Sequence, residues 1–174
     1  MNRHRRWLMT SGMAAAAALL SACTGSGSDA DPAPPPSPST SAAEVSEKAA
    51  TADKVKSAVE SRISAGEKRF GSGDLSPCST GSSAMFTQEC ADAAKATADG
   101  ASFALGQIKG QDGFGSLRSV AEEIQEAAAA YEDLGCLENP ADAATRKACL
   151  EPAAVLAQGF PDLRDGANLG LSGK

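Results

Sequence analysis

The sequence is poor in the residue types on which catalysis and nucleic-acid binding most often rest. Its single histidine is His4 and its single tryptophan is Trp7, both within the first ten of 174 residues. That stretch reads as a discarded segment, which leaves no imidazole in the working protein. Ser-His-Asp and Cys-His catalysis, histidine-ligated metals and imidazole proton shuttling are thereby excluded. Cations are also short: 16 Lys and Arg stand against 22 Asp and Glu, a net charge of −6. Phosphate backbones need a basic footprint, so nucleic acid is not an expected partner. Aromatics number only seven. No stretch shows sustained period-two alternation, so no sheet is expected. No cofactor is expected either.

What the chain does have is alanine, 36 of them, together with nine prolines and five cysteines. The length allows one modest domain behind an export signal. Residues 1–22 fall into three zones: a basic start (Arg3, His4, Arg5, Arg6), an alanine-rich apolar run from Leu8 to Leu20, and small residues leading to Cys23. Thirteen residues at 1.5 Å rise cannot cross about 30 Å of hydrocarbon, so the run is a signal peptide and not a span. Leu20-Ser21-Ala22-Cys23 resembles the lipobox of bacterial lipoproteins. The resemblance covers the first 23 residues. It implies a diacylglyceryl group on the Cys23 thiol, cleavage that makes Cys23 the new N-terminus, and residence on the outer face of the cytoplasmic membrane. Two acyl chains, at about 0.8 kcal/mol per buried methylene, hold a protein on a bilayer where one would not. The alternative is ordinary secretory cleavage, which leaves an odd thiol unexplained. Arg5-Arg6 resembles a twin-arginine export signal or serves a generic basic start, and both routes lead outside.

From Thr24 to Ser41 the chain is Pro-, Ser- and Gly-rich, with Pro34-Pro35-Pro36 and Pro38 favouring extended polyproline geometry. The expected organisation is a signal peptide over 1–22, a lipidated Cys23 with a disordered tether over 23–41, and a helical domain over 42–174. Eighteen tether residues at about 3.1–3.3 Å each reach at most ~55–60 Å. From Cys23 onward the chain carries 13 basic and 22 acidic side chains, a net −9. Anionic headgroups repel such a surface, so the domain is expected to stand off from the membrane.

Residues 41–174 hold 23 Leu, Ile, Val and Phe, a thin supply for a core. Alanine compensates by forming helices readily and letting their axes approach. Apolar spacing gives four helical stretches. The first runs through Val45, Ala49, Ala52, Val55, Val59, Ile63 and Phe70 and ends at Gly71-Ser72-Gly73. The second starts near Ser82 or Ser83 and carries Phe86, Cys90, Ala94, Thr97, Ala101, Leu105 and Ile108. The third follows Asp112 as N-cap, with Phe114, Leu117, Ala121, Ile124, Ala128, Tyr131 and Leu134 on one face before Gly135. The fourth opens at Asn139-Pro140, restarts at Pro152 and stops at Gly159 before Pro161. The tail, 162–174, is expected to be weakly ordered. The fold class is therefore all-α, a four-helix bundle of two disulfide-stapled helical hairpins.

Cys78 and Cys90 are 12 residues apart, Cys136 and Cys149 are 13 apart, and each pair brackets a helix connection. Four cysteines allow three pairings, and the two local ones are preferred. Loops of this size contribute roughly 3 kcal/mol each when closed. Zinc is disfavoured because there is no CxxC, no histidine beyond His4 and an oxidising compartment.

Carboxylates are plentiful at Asp92, Asp99, Glu122, Glu123, Glu126, Glu132 and Asp133. A glycosidase would need two facing each other about 5–9.5 Å apart across a cleft, whereas Glu122 and Glu126 one turn apart are what any solvated helix displays. Tyr131 on an apolar stripe is expected to be buried with its hydroxyl partnered. Gly110, Gly113 and Gly115 lack the preceding strand of a phosphate cradle and read as a turn. Phe103 and Phe160 are expected to fill core, with an exposed docking patch as the alternative. No catalytic, cofactor or metal residue is assigned. The expected function is a non-catalytic interaction or accessory module of the cell envelope, possessing an envelope protein partner and a membrane anchor at Cys23. The alternative is a carrier holding a small apolar ligand between helices.

Overall fold

The computed structural model describes residues 40–170 and 172, and all regular structure within them is helical. The signal segment, Cys23 and the tether up to residue 39 lie outside the described residues. Five helices follow in order: α1 Thr40–Phe70, α2 Gln88–Gln107, α3 Gly115–Asp133, a short α4 Ala143–Ala148, and α5 Leu150–Gly170. Short 3-10 turns occupy Gly73–Leu75 and Cys136–Glu138.

Helix α1 buries Ala52, Val55, Val59 and Ile63, the threes and fours expected of one face. Val45 and Ala49, placed on the same stripe by their spacing, are instead exposed, as is every residue from Glu44 to Ala50. The reason is length. Glu60 of α1 pairs with Arg164 of α5, and Gly66 faces Phe160. In that antiparallel register α5 ends near the level of Val55, so residues 44–50 of the 31-residue α1 extend past it into solvent.

Helix α2 begins at Gln88, not at Ser82 or Ser83. Residues 76–87 form a series of turns closed by Ser79 N–H to Ser76 O, Ser82 N–H to Ser79 O and Met85 N–H to Ser82 O. Thr87 then caps the helix, its Oγ1 accepting from Glu89 N–H. Phe86 consequently sits in the loop and not on the α2 stripe. Helix α3 starts at Gly115 behind Phe114, and no Asp112 cap forms. It buries Leu117, Ala121, Ile124, Ala127 and Tyr131. Gly135, at φ +65°, ends it in the left-handed conformation that a side chain would resist.

The C-terminal third departs most from expectation. Asn139 is left-handed, and the cap is Asp142, whose Oδ2 accepts from Thr145 N–H at 2.7 Å. That bond holds the Asp142 carboxyl below its usual range. Pro152 falls in the first turn of α5, where its missing N–H has no intrahelical partner to lose. Helix α5 does not stop at Gly159 but continues through Pro161 to Gly170. The stretch from 162, expected to be weak, forms its last turns because Leu163 and Ala167 are buried.

Glycine lets α5 press close. A Cβ on Gly159 would lie 2.2 Å from Thr97 Cγ2, and one on Gly166 would lie 2.9 Å from Leu117 Cα. Phe160, 3% exposed, fills the space over Gly66, so it is core. Phe103 is half-buried. At the α1–α5 contact Arg164 Nε donates to Glu60 at 2.9 Å and Nη2 donates to Glu67 at 2.6 Å. The guanidinium lowers both carboxyl pKa values and is itself held more firmly protonated.

Candidate functional site

Helices α1 and α3 end, and α2 and α5 begin, at the same end of this antiparallel arrangement. Both long loops, 71–87 and 134–149, therefore meet there, away from Thr40. Each loop carries one cystine. Cys78 is bonded to Cys90 inside α2, and Cys136 is bonded to Cys149 between α4 and α5. All four residues are buried. Two contacts clasp the loops together. The Tyr131 hydroxyl of α3 donates to the Met85 carbonyl, and Arg146 of α4 stacks over the Phe86 ring, 3.9 Å from its centroid. Burial raises the Tyr131 pKa, so the phenol stays a donor.

Between the end of α1 and the start of α2 this arrangement leaves an open cleft of about 860 Å³. Arg69, Phe70, Asp74, Glu89 and Asp92 line it, with Ser79 and Ser83 supplying hydroxyls. Leu75, 85% exposed, stands at its edge. Ser82 and Ser83 divide it from a smaller opening toward α4.

No family model, curated protein or solved structure matches the chain.

The carboxylates weighed in the sequence do not converge. Asp92 alone lines the large cleft, where its Oδ1 accepts from Gln88 Nε2 at 2.9 Å. Asp99 pairs with Lys95 at 3.0 Å on the outer face of α2. Glu122, Glu123, Glu126, Glu132 and Asp133 are exposed along α3. Asp162 has its pKa raised by partial desolvation and by the charges of Asp165 and Glu123. Gly110 and Gly113 lie in the turn between α2 and α3, and Gly115 opens α3. Among the described residues no group of three or more His, Cys, Asp or Glu could hold a metal ion. No helix among them is long and apolar enough to cross a membrane.

Sequence reasoning did not point to Arg69, Leu75 or Arg146. Leu75 is a lone apolar residue between glycine and proline, a context without periodicity, and only the folded loop shows that it faces water. Together the loops offer hydrogen-bonding hydroxyls, charges of both signs and an isolated leucine. That combination suits recognition of a polar surface with an apolar tip.

Proposed function

We propose that the chain is a lipoprotein anchored through Cys23 to the outer face of the bacterial cytoplasmic membrane, with a helical domain that acts as a non-catalytic interaction module of the cell envelope. In this reading residues 1–22 are the signal, 23–41 the lipidated tether, and the domain a four-helix bundle of two stapled hairpins. The observation that carries the proposal is the polarity of the domain. The chain enters at Thr40, and the cystine-braced loops with their clefts and exposed Leu75 gather at the far end of α1. Attachment through Thr40 leaves that end of the domain unencumbered by the tether and free to meet partners. Two buried cystines suit an oxidising compartment. The tight approach of α5 to α2 and α3 and the surface position of both clefts favour docking over carriage of a ligand within the core.

The test is Cys23→Ser in intact cells. Loss of membrane recovery with retained secretion is expected, and unchanged membrane recovery would refute the anchor. Crosslinking through a photoreactive group at Leu75 should capture a discrete envelope protein. Capture of lipid alone would overturn the docking assignment.

A further inference from the structure

The smaller opening, about 320 Å³, lies between the two stapled loops, and the only ionisable residues lining it are cations, Arg146 and Lys147. This runs against the composition of a chain with 22 acidic side chains. Among the described residues neither cation has a carboxylate partner: the ion pairs there involve Lys95 and Arg164. Arg146 is nevertheless fixed in place. Its guanidinium stacks on Phe86, and Nη1 donates to Asn139 Oδ1 at 2.7 Å and to the Pro140 carbonyl at 3.3 Å. Those contacts use Nη1, and among the described residues no hydrogen bond is made by Nε or Nη2. A planar cation held by neutral partners, with donors to spare, is preorganised for an oxyanion.

The opposite wall supplies hydroxyls. Ser82 Oγ accepts from Ala84 N–H at 3.1 Å, which leaves its proton available to a ligand, and Thr80 and Ser83 line the same opening. Leu150, 40% exposed, joins Met85 and Phe86 to give the opening an apolar side. The volume is at the small end of the ~300–1,000 Å³ found for ligand sites.

We propose that this cleft binds a small oxyanion that carries a short apolar group. Arg146 and Lys147 take the oxyanion, the Thr80, Ser82 and Ser83 hydroxyls complete its hydrogen bonds, and Leu150 covers the apolar part beside Phe86. The inference goes beyond the anchoring proposal and does not rest on it, since every residue involved lies in the helical domain.

Octanoate, octylamine and inorganic phosphate are titrated into the full chain carrying Cys23→Ser, read by backbone amide shifts. Octanoate should bind saturably, with shifts confined to 80–87 and 145–151. Phosphate should bind at least about tenfold more weakly because it lacks the apolar group, and octylamine should not compete. Lys147→Glu, at an exposed position, should weaken octanoate at least about tenfold, and Arg146→Lys, which also gives up the bonds to Asn139 and Pro140, should weaken it as well. Equal binding of octylamine, equal binding of phosphate, undiminished binding by Lys147→Glu, or shifts elsewhere in the domain would each overturn the assignment.

Discussion

Replacing Gly159 by alanine sets two physical effects against each other, and the structure decides between them. In a helix interior alanine is favoured over glycine by about 1 kcal/mol. At this position, however, the new Cβ would meet Thr97 Cγ2 at 2.2 Å and Ile124 Cδ1 at 3.2 Å. Relief requires α5 to retreat by more than an ångström or Thr97 to turn. Thr97 resists turning, because it is buried and its Oγ1 donates to the Ala93 carbonyl at 2.9 Å. Overpacking of a filled core costs about 1–3 kcal/mol. The upper part of that range applies here, since a whole helix must move, giving a net loss of about 1–2 kcal/mol. Thr97→Ser deletes the clashing methyl and keeps the hydroxyl. In that background alanine at 159 should become neutral or stabilising. Urea unfolding of the four combinations reads this directly, as midpoints at constant slope. A coupling of at least about 1 kcal/mol is expected. A higher midpoint for Gly159→Ala alone, or additivity within about 0.5 kcal/mol, would show that the α2–α5 contact is not as described. Gly106 serves as control. Beyond its chain neighbours and its own helix backbone no atom lies within 4 Å of its Cβ position, so Gly106→Ala should gain about 0.5–1 kcal/mol.

Three other contacts have measurable consequences. Replacing Cys136 and Cys149 together by alanine should lower stability by about 3 kcal/mol relative to the oxidised wild-type chain in denaturant. Glu60 and Glu67 have lowered pKa values, so their contribution is fully present above the ordinary glutamate range near 4.5 and is lost as pH falls through the folded values. Arg164→Met should therefore cost about 1 kcal/mol at neutral pH, after allowance for solvent screening, and should flatten the acid limb of a thermal-melt series. Tyr131→Phe strands the buried Met85 carbonyl and should cost about 1–3 kcal/mol, with local loss of amide protection over 82–87 in hydrogen exchange.

Much of the helical plan was legible because apolar spacing repeats at threes and fours wherever a helix faces the core. Leu117, Ala121, Ile124 and Tyr131 were visible as one stripe, and they are buried together. Cysteine spacing likewise favoured the two bonds observed. Local punctuation misleads where the apolar rhythm continues through it. Gly159 and Pro161 look like a helix stop, yet Leu156, Phe160, Leu163 and Ala167 keep the helical rhythm straight through them, and their burial outweighs one missing N–H. Asn139-Pro140 looked like a start, but Asn139 Oδ1 accepts from Arg146 and the capping passes to Asp142. The serines near 82 close turns among themselves in place of a helix. Loop surfaces were the least legible part. Neither the Arg146–Phe86 stack nor the exposure of Leu75 leaves a periodic trace, because each depends on where two loops meet in space.

The direction of α1 has a mechanical consequence. A pull on the chain ahead of Thr40, opposed by a grip on the 134–149 loop that leads into α5, runs parallel to the axis of this helix. Its seams with α2 and α5 then slide under shear, so the buried side chains from Ala52 to Ile63 and the Arg164 cross-tie share the strain at once. Peeling, in which contacts give way singly, would need the force turned sideways.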